Sequence, residues 1–330
     1  MTHRARALIA SAAILVFAGC GGGGSTAARG PAVPGPTPTP PPPPNAVRFV
    51  LPGVTDPAIS NAFGAHLAVA PGRAAGARLV VFLPGTNATP ADYSRIVGIA
   101  ADAGAHAIGL SYPDTSAILQ DCGDDPDCYL PIRLQKFDGV PRSPIDAVAP
   151  ADAIVNRLTK LLLYLDAHFP SEGWGAFVGG GAPVWSSIIV GGHSQGAGEA
   201  ATIGKVVRVA RVAQFSGTVD AVVTGSGALA PATWVPSAGV TPAAAYYGFD
   251  HTADVFYDKI RIDWTALGQD AFGPAVAVES AAPPYGGSHD LITSLAVNAP
   301  HPSTAADGAT PLDANGAPLF APVWRYVFGL

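Results

Sequence analysis

Charge is scarce in this chain of 330 residues, with Asp, Glu, Lys and Arg together making up 13%. The 18 basic residues are outnumbered by 24 acidic ones and never cluster, so nothing resembles the basic stripe that nucleic-acid binding requires. No apolar run reaches the roughly 20 residues needed to span a bilayer. No internal repeat is evident. Cysteine occurs three times, at Cys20, Cys122 and Cys128. What remains is a globular composition, 48% hydrophobic with 39 glycines and 33 prolines, long enough for one large domain or two ordinary ones.

The first 20 residues read as a targeting segment. Arg4 and Arg6 form a positive start, residues 7–18 an apolar stretch, and Ala18 and Gly19 precede Cys20. That order resembles a bacterial lipobox, with Phe17 where leucine is usual, and implies a lipidated Cys20 at the mature N-terminus; an ordinary cleaved signal peptide is the alternative. Gly21 after the cysteine is similar to lipoproteins that move on to the outer membrane. Residues 21–45, rich in glycine and then proline, suit a flexible tether that stiffens into polyproline II. The expectation is an exported protein, either anchored through lipid in the cell envelope or secreted. Behind an export signal, Cys122 and Cys128 in "DCGDDPDCYL" are expected to close a small disulfide loop, worth about 2 kcal/mol by loop entropy. The surrounding aspartates read as a solvated acidic turn, not a calcium site.

Residues 46–330 are expected to form one α/β domain. "NAVRFVLPG" and "AHLAVAPG" read as an opening pair of short strands. "ARLVVFLPGT", residues 77–86, is a continuous apolar run ended by Pro84 and Gly85, as for a strand buried on both faces. A helix after Pro90 follows, then a strand in "AHAIGLSYP". Residues 150–169 carry the strongest helical period, with apolar positions 154, 155, 158, 161, 162 and 165 on one side. "SSIIVGG" is a strand, "AGEAATIGKVVRVA" a helix, and "RVAQFSG", "AAAYYGFD" and "PAVAVES" read as later strands. Strands alternating with helices imply a mostly parallel sheet covered on both faces.

Within "SSIIVGGHSQGAGEA" a strand ends, Gly192 and Gly196 flank Ser194 at two residues on either side, and a helix begins. In a chain this rich in glycine the five letters alone mean little, but their place between strand and helix is informative. A serine on so sharp a turn needs small neighbours, because a side chain there would collide with the adjoining strand and helix. "GGHSQGAG" resembles the nucleophile elbow of the α/β-hydrolase superfamily, and the strand–helix rhythm from about residue 77 onward is similar to that fold. The resemblance implies an exported serine esterase or lipase-like hydrolase, with serine, acid and histidine in that chain order.

The resemblance also directs the search for partners. A base must lie within reach of the serine hydroxyl. His289 follows the late strand "PAVAVES" through a glycine-rich loop and is the first choice; His301 is the second, and His251 is also downstream. His193 is expected to pack beside the elbow. For the acid, Asp254 sits in "HTAD" after the next-to-last strand, with Asp250 and then Asp220 as alternatives. The oxyanion hole is expected from the amides of Gln195 and Thr86, the latter in "FLPGT". Trp185, Trp234, Tyr246 and Tyr247 are available to line a pocket, although packing in the core is the commoner place for such aromatics. No metal or organic cofactor is implied. The substrate would be a small-molecule or lipid ester, the partner a membrane through the N-terminal lipid, and nucleic acid is excluded. A catalytically lapsed binding module and an acyltransferase with the same triad are the alternative functions.

Overall fold

The computed structural model describes residues 43–72 and 76–330, so the leader, Cys20 and nearly all of the tether lie outside the described residues. Its main sheet contains β1 (Ala46–Val50), β2 (His66–Ala70), β3 (Leu79–Leu83), β4 (His106–Gly109), β5 (Ile188–His193), β6 (Arg211–Phe215), β7 (Tyr246–His251), β8 (Val276–Ala277) and β9 (Asp290–Thr293). Their order is β1-β2-β4-β3-β5-β6-β7-β9-β8. β2 runs antiparallel to both β1 and β4, and every other pairing is parallel.

β3 illustrates why the middle of the sheet reads as unbroken hydrophobicity. Leu79, Val81 and Leu83 face one apolar cluster, which includes Leu158, Leu161, Leu162 and Leu165 of helix Ile154–His168. Val80 and Phe82 face the other, shared with Ile96 and Val97 of helix Ser94–Asp102 and with Trp324 and Val327 of helix Ala321–Phe328. Successive side chains thus enter opposite helical layers, and no polar position is tolerated between them. This is the α/β-hydrolase fold, a mostly parallel sheet with helices on both faces.

The late part of the chain departs from the sequence reading. "PAVAVES" supplies only the two-residue edge strand β8. The last interior strand is instead β9, which begins at Asp290, directly after His289, in a stretch the sequence reading assigns to no element. Asp290 is buried and opens the strand because Arg261 pairs with it at 2.7 Å, so a charged residue stands where hydropathy would seek an apolar one.

Counting helices of eight residues or more, α1 is Ser94–Asp102, α2 Tyr129–Asp138, α3 Ile154–His168 and α4 Gln195–Val206. Between β5 and α4 the chain turns at Ser194 with φ 56° and ψ −120°. That conformation is sparsely populated for a residue with a side chain and costs of order 1–3 kcal/mol. It is held by the Ser194 amide donating to the Phe215 carbonyl at 2.9 Å and by the Ala197 amide donating back to the Ser194 carbonyl at 3.0 Å. A Cβ on Gly192 would overlap the Gly196 carbonyl, and a Cβ on Gly196 would overlap the Leu83 carbonyl oxygen. Since those obstacles are backbone, Gly196→Ala should destabilise the protein by at least about 2 kcal/mol. The midpoint of urea unfolding measures this, and an unchanged midpoint would mean that α4 can move away from β3 at little cost.

Candidate active site

Three segments that leave the carboxyl ends of parallel strands converge on Ser194, which itself follows β5. Thr86 comes after β3, Asp254 after β7, and His301 after β9 in the short helical turn Pro300–Ser303. The carboxyl edge is where open parallel sheets place their ligands, because the connecting loops diverge there and leave a crevice.

The Nδ1–H of His301 donates to Asp254 Oδ2 at 2.6 Å, leaving Nε2 to accept the Ser194 hydroxyl at 2.8 Å. Asp254 is buried, and its second oxygen, Oδ1, accepts the Phe256 amide at 2.8 Å. Burial opposes its ionisation, but His301, the Phe256 amide and Asp250 together outweigh burial and hold its pKa below the usual aspartate value. The Phe256 ring meets the His301 imidazole edge-on at 5.2 Å. A carboxylate, an imidazole and a hydroxyl in this sequence of bonds can move the serine proton onto the imidazole and stabilise the cation that results.

His289 is not part of this chain, contrary to the sequence reading. It immediately precedes β9, at the amino end of a parallel strand, while Ser194 sits beyond the carboxyl end of β5. Its Nδ1–H donates to the Tyr246 carbonyl at 2.9 Å, and its ring is sandwiched between Tyr247 at 3.8 Å and Phe272 at 4.1 Å. Burial pushes its pKa down to about 4 and so keeps it neutral. His251 is also elsewhere, with Nε2 bonded to the Leu295 carbonyl at 2.7 Å.

The remaining sequence candidates divide clearly. Asp220 is engaged by Arg133, which donates to its two oxygens at 2.8 and 2.5 Å, and by the Trp234 indole N–H at 2.9 Å. Thr86 and Gln195 both line the cleft beside Ser194. The Thr86 hydroxyl donates to Gln195 Oε1 at 3.1 Å, and among the described residues neither main-chain amide donates to a protein acceptor. Cys122 and Cys128 form a disulfide directly before helix Tyr129–Asp138. Of the surrounding aspartates, Asp124 accepts the Val223 amide at 2.8 Å and Asp127 the Thr233 hydroxyl at 2.8 Å. Among the described residues no group of three His, Cys, Asp or Glu side chains is placed to hold a metal.

The cleft has a volume of about 600 Å³, and Ala88, Ile118, Leu119, Val219, Phe256 and Pro302 supply much of its wall. Trp185, Trp234, Tyr246 and Tyr247 do not line it; its aromatic residues are Tyr93 and Phe256. Tyr93 belongs to a relay that sequence reasoning missed. The Gly85 amide donates to the Tyr93 oxygen at 3.1 Å, and the Tyr93 hydroxyl donates to His193 Nδ1 at 3.0 Å. His193 Nε2–H then donates to the His301 carbonyl at 3.0 Å. Burial, reinforced by His301, lowers the His193 pKa to about 3, so a neutral imidazole anchors the backbone of His301.

No family model matches the chain, and no curated protein matches it. Solved structures similar to it include Thermogutta terrifontis esterase 2 phosphoramylated by tabun, at 14% identity and a TM-score of 0.41, covering 88% of this chain and 93% of that one. A bacterial heroin esterase is 18% identical with a TM-score of 0.37, over 76% of this chain and 75% of its own. An S-formylglutathione hydrolase from Agrobacterium tumefaciens is 13% identical with a TM-score of 0.40, over 76% and 87%. Likeness at this level leaves the chemistry to be argued from the residues themselves.

Asp250, the second candidate acid, lies in β7 and is fully buried. Neither of its oxygens has a donor in hydrogen-bonding geometry, and its carboxyl lies beside that of Asp254, with Ser216 and the His251 amide nearby. Burial first, and then the Asp254 charge, raises its pKa well above the aspartate value, so it keeps its proton in the fold and loses it on unfolding. A group of this kind makes stability fall as pH rises from the unfolded pKa toward the folded one. Asp250→Asn, which keeps the shape and an N–H donor, should therefore gain on the wild type as pH is raised from 5 to 8, by up to about 1.4 kcal/mol per pH unit. Unfolding free energies of both proteins across that range measure the gain, and a constant difference would show that Asp250 is ionised in the native state.

Proposed function

We propose that this protein is a serine hydrolase that cleaves carboxylic esters through an acyl-enzyme on Ser194. The observation that carries this reading is the hydrogen-bonded chain from Asp254 through His301 to Ser194, at the side of a largely apolar cleft. Ser194 Oγ attacks the ester carbonyl carbon while His301 Nε2 takes its proton. Asp254 holds the imidazole in the required tautomer and stabilises its charged form. The carbonyl oxygen becomes an oxyanion, for which the Thr86 and Gln195 amides supply donors. Such preorganised donors contribute roughly 3 kcal/mol each to lowering the barrier. As the tetrahedral intermediate collapses, the carbon–oxygen ester bond breaks and His301 returns the proton to the departing alcohol. A water then repeats the attack on the acyl-enzyme and releases the acid, restoring Ser194. In the same proposal the Cys20 lipid and the tether hold the exported domain at a membrane of the cell envelope. Lipid esters as well as small soluble esters would then be within reach.

p-Nitrophenyl acetate and longer-chain esters, tested with fluorophosphonate labelling of Ser194, measure the proposed activity. Ser194→Ala and His301→Ala should each reduce kcat/KM roughly ten-thousandfold. His289→Ala should stay within about threefold of the wild type, because its ring touches none of the reacting groups. A folded wild type that neither hydrolyses nor labels would refute the reading, and a loss with His289→Ala matching that with His301→Ala would refute the assignment of the base.

A further inference from the structure

Gln195 is held by three donors that lie outside its own helix. Its side-chain oxygen accepts the Thr86 hydroxyl at 3.1 Å and the Ile118 amide at 3.1 Å, and its main-chain carbonyl accepts Arg133 at 3.2 Å. Two of the three, Ile118 and Arg133, come from residues 112–149, the excursion between β4 and helix Ile154–His168 that also carries the disulfide.

Arg133 is almost fully buried on helix Tyr129–Asp138, and it lines the cleft. Its guanidinium pairs in two-point fashion with Asp220, at 2.8 and 2.5 Å, and donates to Glu199 Oε1 at 3.0 Å. Glu199 lies one helical turn beyond Gln195, so a single planar group spans the first turn of α4 and the loop after β6. The sequence of α4 makes room for it. A Cβ on Gly198 would overlap the guanidinium, which accounts for a glycine inside a helix where alanine would be better by about 1 kcal/mol. Such an arrangement specifies direction more than it adds stability, because desolvating one cation and two carboxylates offsets much of their attraction.

We propose that Arg133 is a positioning residue for the oxyanion hole, fixing α4 at the Gln195 carbonyl so that the Gln195 amide meets the developing charge. This rests on the esterase reading. It assigns the excursion at residues 112–149 a part in transition-state binding as well as in shaping the cleft. Misplacing a donor by about an ångström is enough to cost a large factor in rate, whereas ground-state binding in an apolar cleft depends little on it.

The full-length protein and its Arg133→Lys variant test the idea with p-nitrophenyl butyrate and a trifluoromethyl ketone, which adds to Ser194 as a tetrahedral adduct. Lysine keeps the charge but cannot span Asp220, Glu199 and the Gln195 carbonyl at once. The expected result is a fall in kcat of about 10- to 100-fold with KM within about threefold, and a matching loss of affinity for the ketone. If the lysine variant does not fold, the charge-free Arg133→Met/Asp220→Asn/Glu199→Gln triple variant should show the same loss. A folded variant with kcat and ketone affinity within threefold of the wild type would overturn the proposal and leave the esterase reading intact, as would an effect confined to KM. A wild type that neither turns over ester nor labels with fluorophosphonate would overturn both.

Discussion

The backbone at Ser194 is the constraint on which the rest of the site depends. A positive φ lifts the hydroxyl out of the sheet, and the chain can hold it only if nothing else occupies the space around the turn. Gly192 and Gly196 leave that space, and the carbonyl of Leu83 fills it from the neighbouring strand. The elbow therefore brings the end of β3 against the start of α4. This close approach puts Thr86 within 3.1 Å of Gln195, side chain to side chain. One strained residue thus sets both the position of the hydroxyl and the separation of the two segments whose amides flank it.

Around that turn, an apolar cleft has been combined with many buried polar groups, and the physical difficulty is to leave few of them unmatched. The solution recurs: each group that must keep its orientation is tied to a different part of the chain. His301 is fixed by Asp254 through its ring and by His193 through its backbone. His193 is in turn fixed by Tyr93, and Gln195 by Thr86, Ile118 and Arg133. Bonds of this kind contribute about 1 kcal/mol each to stability, but breaking one strands a buried partner at a cost of several times that. The arrangement therefore favours one geometry over near alternatives, as the proposed chemistry would require.

How far the sequence foretold this depends on how local the determining physics is. The central strands were legible because burial on both faces leaves no polar position, and the elbow because a strained turn demands glycine at fixed offsets. Asp254 could be found from its place after β7. The histidine that meets Ser194 could not be singled out, because the choice hinged on which late segment was the last interior strand. "PAVAVES" has the better hydropathy yet is an edge fragment, while "DLIT" begins with an aspartate whose burial depends on Arg261, 29 residues away. Moving the last strand moves the loop that follows it, and the histidine that meets Ser194 is then His301 and not His289. The aromatic residues could be read only by what is common: Trp234 and Tyr246 fill the core, the usual place for such side chains, and nothing local separates a core aromatic from one lining a cleft.

Gly198, which with Ala200 reads from the sequence as room for the helix to pack close to the sheet, has a different neighbour. The helix after the elbow carries Gly198 in its interior, in "GAGEAA", and a helix gives up stability for such a residue only when something must come close. What comes close is Arg133, 65 positions earlier in the chain, and its other partners, Asp220 and Glu199, are acidic residues that a purely apolar reading of the core would not place indoors. Glycine in a helix, a buried acid one residue on, and a distant arginine are separately uninformative. They become a single statement only when the fold supplies the distances. The residues that define a chemistry can be found by motif because they are tied to one turn of backbone. Those that hold it in place are spread along the chain, and each is legible only through the partner it was selected to meet.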